Sequence, residues 1–183
     1  LPRGEYQLSQ HVEKRCVYTF CMCPGGQVVA SASEKGRVVT NGMSEYSRDG
    51  DNANAALVVS VGPEDFGSGV FAGVAFQEEL ERRAFQLTNG TYRGCGATVG
   101  AFLEGRKGLE LRSVTPTYAL GLEPVDFDRL YPPQVAAMMR LGLRNFGRKL
   151  PGFDAPDAVL TGPETRTSSP IRIPRGENLQ SAA

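Results

Sequence analysis

The stretch from Phe20 to Ser44 constrains the fold more than any other part of the chain. Two thiols lead into a Pro24-Gly25-Gly26 break, and two Val-rich runs follow, separated by Glu34-Lys35-Gly36. Residues 17–23 are β-branched, aromatic and thiol-bearing, which predicts a strand that the Pro-Gly-Gly turn ends. Val28 to Ala32 and Arg37 to Asn41 then read as a hairpin, with Asn41-Gly42 a candidate for positive φ. In an extended segment, side chains at i and i+2 share a face, so Cys21 and Cys23 are expected side by side with Met22 opposite. Such a string is compatible with core packing, a metal clip, a dithiol or the wall of a cofactor pocket.

Further on, Ala56 to Val61 reads as a strand stopped by Gly62-Pro63, and residues 67–73, with three glycines, as a loop. The clearest helix runs from Val74 to Leu87. Val74, Phe76, Leu80, Ala84 and Leu87 form its apolar face, and Glu78, Glu79, Glu81, Arg82 and Arg83 are expected in water. Glu78–Arg82 and Glu79–Arg83 are favourably ordered i,i+4 pairs. Thr88-Asn89-Gly90 stops that helix. A second helix begins at Pro132-Pro133, where proline suits the first turn, and reaches Phe146. Its expected core contacts are Val135, Met138, Met139, Leu141 and Leu143, and Gly142 weakens it. Residues 157–162 and 169–173 are short strand candidates. This order predicts an α+β fold with an antiparallel or barrel-like β part, a small helical part and no complete Rossmann fold. The β-rich part is expected to comprise residues 1–66 and 157–175, and the mainly helical part residues 67–156. Strands at both ends also place the termini near each other, as in an inserted domain.

A chain of 183 residues buries a good core and reads as one domain or one with a small appendage. Lys plus Arg (20) equals Asp plus Glu (20), so no net field recruits nucleic acid or an anionic membrane. No apolar run approaches the roughly 18–20 residues that span a bilayer. Four cysteines do not make a disulfide scaffold, and a reducing, cytoplasmic setting is expected. The chain opens in a polar stretch with no initiator Met and reads as a piece of something larger.

Several chemistries compete. Cys16, Cys21 and Cys23 form a C-x4-C-x-C cluster, with Cys95 and His11 as distant fourth ligands, but C-x-C on a strand matches a zinc knuckle poorly. A Cys21–Cys23 disulfide would close a very small, strained ring, with no Lys or His evident to lower a thiol pKa. Residues 94–100, Gly-Cys-Gly-Ala-Thr-Val-Gly, nearly match the dinucleotide fingerprint but follow no Val-rich strand, and read as a loop with a short helix. The single histidine, His11, reads as a surface residue, and no G-x-S-x-G elbow is present. Two polar runs remain: Thr40 to Ser44 with Arg48, Asn52 and Asn54, and Glu164 to Pro170. Asn, Asp and Ser in such runs commonly make turns and caps, yet each run also holds one arginine, whose fork suits an anion.

Phe20 to Gly26, Val38 to Ser44 and Asn52 to Val59 resemble a family of bacterial FAD-dependent dehydrogenases. Pro151-Gly152-Phe153, Leu160-Thr161-Gly162 and Glu164 to Arg172 are similar to the same family, which has a proline where this chain has Gly94 to Ala97. The resemblance implies that the chain is the internal, substrate-side domain inserted into an FAD-binding fold. Its partners would then be its own Rossmann FAD-binding domain and a small-molecule substrate. The cofactor would be FAD, with NAD(P)H as a candidate electron donor, and the isolated chain would not hold FAD tightly. The resemblance further implies a flavin- or substrate-facing surface made of Cys21, Cys23, Pro24, Gly25, Gly26, Asn41, Gly42, Arg48, Asn52, Asn54, Arg166, Ser168 and Ser169. Arg166 or Arg48 would hold a substrate anion or stabilise reduced flavin. The competing reading is a non-catalytic zinc or interaction module built on Cys16, Cys21 and Cys23.

Overall fold

The computed structural model describes residues 8–167, 169 and 171–181. The first two strands, β1 (Leu8–Val12) and β2 (Arg15–Cys23), form an antiparallel hairpin. The strand β5 (Asn54–Val59) pairs with the other edge of β2 to complete a three-stranded sheet. Val17 and Thr19 are fully buried on one face of β2, as the period-two rule requires. The rule then breaks. Phe20 pairs with Ala56 and Cys23 with Asn54, so β2 spends one more residue than β5 between the two pairs. This is a β-bulge, and Cys21 takes it up at a φ of 55°. The expected side-by-side placement of Cys21 and Cys23 is therefore wrong, because the bulge resets the alternation between them.

The expected hairpin is present in a shifted register, as β3 (Gly26–Ala30) and β4 (Thr40–Ser44), with Val28 opposite Gly42. Val38 and Val39 lie in the connection, not in a strand, and are buried in the core. The positive φ expected at Asn41-Gly42 is absent. Gly42 is extended, and a Cβ there would stand 2.3 Å from Asn54 Oδ1, so close approach explains the glycine.

Helices α1 (Pro63–Phe66) and α2 (Ala72–Leu87) follow, and α2 ends at Thr88-Asn89-Gly90 as expected. Next comes β6 (Gly94–Thr98), whose five residues are all buried, running directly into α3 (Val99–Leu103). The Gly-Cys-Gly-Ala segment is thus a central strand and not a loop. Its small side chains let Leu122 and Leu109 pack within about 3 Å of where a Cβ on Gly94 or Gly96 would lie. The strands β7 (Leu122–Pro124) and β8 (Val159–Gly162) flank β6, parallel and antiparallel respectively. Helices α4 (Phe127–Leu130) and α5 (Pro133–Lys149) lie between them in sequence. Among the described residues the three sheets do not close into a barrel, and the second late strand candidate, 169–173, is not a strand. The fold is α+β. β6 and β7 belong to the central 67–156 segment, yet β6 pairs on one edge with β7 and on the other with β8 from the closing one, so the two expected parts share a sheet.

One apolar core joins Cys95, Ala97, Phe102, Phe127, Leu130 and Leu143, and a smaller cluster joins Val17, Met138 and Phe146 beneath β2. Arg15 and Asp65 fasten the edge, with Nη1–Oδ2 at 2.9 Å and Nη2–Oδ1 at 2.8 Å, while Gln134 and the Gly62 amide donate to the same carboxylate. Gly142 is the contact point of α5 with β2, since a Cβ there would lie 2.6 and 3.1 Å from the two methyls of Val17. Helix propensity favours alanine at an interior position by about 1 kcal/mol, but a stiff, fully buried valine cannot rotate both methyls away. Overpacking of this kind costs about 1–3 kcal/mol. Gly142→Ala is therefore expected to lower stability in urea unfolding, and a stabilised variant would contradict this packing.

Candidate functional site

A groove of about 1080 Å³ opens between β5, β4 and β8, with α2 and α5 behind it. Leu57, Phe76, Leu80, Val135, Met139 and Leu160 are among its apolar walls. Asn41, Asp51, Asn52, Asn54, Gln77 and Glu164 are among its polar lining residues. Of the surface expected from sequence, Cys21, Asn41, Gly42, Asn52, Asn54 and Ser169 line this groove. Cys23, Pro24, Gly25, Gly26, Arg48 and Arg166 do not, and Ser168 lies outside the described residues.

The reasons are local. The bulge directs both Cys21 and Met22 to the groove and leaves Cys23 out. The Pro24-Gly25-Gly26 turn packs against the backbone of Arg48 to Asn52 instead. Gly25 sits at a φ of 59°, 2.2 Å from the Arg48 carbonyl carbon by its would-be Cβ, and the Gly26 amide donates to Asn52 O at 2.7 Å. Asn52 Nδ2 donates to Thr115 O at 2.7 Å, and Asn54 Nδ2 reaches Gln27 O and Met43 O at 3.3 and 3.4 Å. These two asparagines are cross-links that hold the groove rim in shape.

Arg166 is spoken for. Its Nε and Nη2 each lie 3.0 Å from the two oxygens of Glu81, and its Nη1 is 2.7 Å from Ser33 Oγ. Glu81, expected in water, is 1% exposed. Thr165 Oγ1 donates to Glu81 Oε1 at 2.7 Å, and Arg37 approaches Oε2 at 3.7 Å. Arg37 also takes Glu78, at 3.2 Å, so the expected Glu78–Arg82 pair does not form, whereas Glu79–Arg83 does. Burial pushes the Glu81 carboxyl up, but the bonds from Arg166 and Thr165 and the charges of Arg166 and Arg37 outweigh it, holding the group below the usual carboxylate range. The sequence signal was faint: Glu81 follows Leu80 on the edge of the apolar stripe, and its partner is 85 residues away.

The strap after β8 is pinned at alternate residues. Thr40 N donates to Pro163 O at 2.9 Å, and Gln77 Nε2 to Thr165 O at 2.7 Å. Glu164, between these anchors, lies half-buried on the groove wall, and burial alone raises its carboxyl pKa. Burial also raises the Tyr131 phenol and the Cys23 thiol, and the nearby Glu164 charge adds to each. Cys95, sealed in the core, is pushed up to about 12 by burial and is inert packing.

The thiols do not converge. Cys16, the second residue of β2, stands opposite His11 on β1, with Sγ 3.5 Å from Nε2, so the histidine belongs to a strand. Cys21 is five residues further along, roughly 15 Å by strand rise. All four cysteines are free, and among the described residues no three His, Cys, Asp or Glu side chains are placed to hold a metal ion. No described helix is long and apolar enough to cross a membrane.

Fold and groove together define an α+β domain with one large open groove, without a dinucleotide-binding half of its own among the described residues. The family model described as FAD-dependent protein, C-terminal domain-like, matches residues 1–167, and the chain belongs to that family. The chain is also 47% identical over 184 aligned residues to an uncharacterized protein of Clostridium beijerinckii (strain ATCC 51743 / NCIMB 8052). That match covers 99% of this chain but 34% of the relative, so the chain spans about a third of the relative's length. FAD involvement follows from the family. The walls of the groove are largely apolar. Among its described lining residues there is no Lys, Arg or His for a pyrophosphate.

Removing Arg166 leaves the buried Glu81 carboxylate with Arg37 and Thr165 as partners. With Arg166 partly solvent-screened, Arg166→Ala is expected to cost about 1–3 kcal/mol at neutral pH. Because the folded Glu81 pKa is depressed, the pair's contribution is complete above the unfolded value of about 4.3 and fades as pH falls through the folded one. Urea unfolding of both proteins at neutral and acid pH checks this; a gap that stays constant or widens in acid would contradict it.

Proposed function

We propose that this chain is the substrate-facing domain of a flavin-dependent oxidoreductase, inserted into a polypeptide whose remaining part holds FAD in a Rossmann domain. The observation that carries the reading is the groove of about 1080 Å³, apolar in its walls and edged by cross-linked amides, in a chain that belongs to a family of FAD-dependent proteins. A pocket of this size and lining is of the kind that buries a small organic ligand and orients it with a few polar groups. FAD supplies the hydride acceptor when bound, and the protein supplies placement and electrostatics.

In this reading Leu57, Val135, Met139 and Leu160 exclude water and hold the apolar body of the substrate. Asn52 and Asn54 keep the rim rigid, because their amides tie together the loops and strands that carry it. The bulge at Cys21 and Met22 presents the rim to the flavin. Arg166 acts at one remove, as a positioning residue: by gripping Glu81 it fixes the strap that forms one wall.

Shielding of Cys21, an exposed thiol on this groove, tests the arrangement. In the full-length protein, iodoacetamide is expected to alkylate Cys21 several-fold more slowly when FAD is loaded than when it is stripped. Cys16, on the far end of the same strand, is expected to react equally in both forms. Mass spectrometry reads both rates, and an unchanged Cys21 rate would falsify the flavin-side placement.

A further inference from the structure

The groove carries charge of one sign only. Among its described lining residues stand two carboxylates, Asp51 and Glu164, and no lysine, arginine or histidine. Glu164 is the deeper of the two, since Asp51 is exposed. Its flanking residues are locked: Thr40 holds the Pro163 carbonyl, and Glu81 and Gln77 hold Thr165. The backbone that carries Glu164 is therefore held at the wall on both sides. Arg166, two residues along the strap, is engaged on Glu81, and so is Arg37. Among the described residues Glu164 makes no ion pair and accepts no hydrogen bond, and burial is the one influence on its titration.

A half-buried carboxylate without a partner is less well solvated than one in open water, and a cation or a strong donor arriving in the cavity offsets that loss. An anion entering the same groove meets two like charges and no compensating one. We propose that the groove selects an apolar amine, bound with its ammonium on Glu164 and its hydrocarbon body against Leu57, Val135, Met139 and Leu160. This rests on the groove being the substrate cavity, and it reverses the expectation that an arginine there holds a substrate anion. Of the two arginines that suggested an anion, Arg166 is consumed in the fold and Arg48 does not line the groove, so the charge left facing the cavity is negative.

Three probes with one body and different heads separate the possibilities in the FAD-loaded full-length protein: 3-phenylpropylamine, 3-phenylpropanol and 3-phenylpropionate. Calorimetry reads binding, and the flavin absorbance band reads whether the probe lies beside the cofactor. A charge-assisted hydrogen bond is worth about 1.5–3 kcal/mol, so the amine is expected to bind roughly tenfold or more tightly than the propionate. Glu164→Gln keeps the shape of the wall. It is expected to remove that preference while leaving binding of the alcohol in place, which also shows that the variant is folded. Equal or tighter binding of the propionate overturns the proposal. So does an amine preference that survives Glu164→Gln, as it would if a cation from the rest of the polypeptide already sat on this carboxylate. Absence of binding by all three probes overturns it too. Charge selection that depends on Glu164 with a silent flavin band upholds the amine site and sinks the flavin-side reading instead.

Discussion

Glu81 holds the architecture of the groove together. It is a carboxylate on α2 with 1% of its surface exposed, and burial on that scale is tolerable because four polar hydrogens or charges converge on it from outside its own helix. Those partners come from two distant stretches, the loop between β3 and β4 and the strap after β8. The Val38 amide adds a bond to the Glu81 carbonyl at 3.1 Å. One residue thus fixes the relative placement of α2, the long connection of the hairpin and the strap. α2 and the strap carry Gln77 and Glu164 into the cavity, and the connection leads into β4, which carries Asn41.

Much of the fold was legible because it is written in local patterns. The α2 stripe, the proline start of α5, the Thr88-Asn89-Gly90 stop and the strands around Val17 and Leu57 follow from periodicity and punctuation. What failed to show was set by contacts remote in sequence. β6 is glycine-rich and poor in β-branched residues, and becomes a central strand because Leu122 and Leu109 fill the space its side chains leave. The bulge at Cys21 depends on the register with β5, which no property of the Cys-Met-Cys string announces. Gly142 looked like a weakness in α5 and is instead the place where that helix touches Val17.

The candidate site divides the same way. Asn41, Asn52 and Asn54 do lie at the groove, but two of them turn out to be structural cross-links, the ordinary use of asparagine in loops. The arginine that looked like an anion holder was persuasive because a guanidinium has no visible partner in a sequence. Its partner was a glutamate on the supposed wet face of α2, and a pattern-based reading has no means of pairing the two. Once that pair is recognised, the electrostatic character of the cavity changes sign, and Glu164 becomes the more buried of the two carboxylates on its wall. The Pro24-Gly25-Gly26 turn acts indirectly, as a backbone support for the loop that delivers Asn52.

The central claim is that this groove is where a substrate meets the flavin of the full-length protein. A structure of the FAD-loaded full-length protein tests it most directly, through the position of the isoalloxazine relative to the groove. The account predicts the reactive edge of the ring over the groove mouth, near Cys21 and Asn41, with Glu164 facing the enclosed space beneath it. An isoalloxazine seated against another face of the domain, with the groove open to bulk solvent, would contradict it.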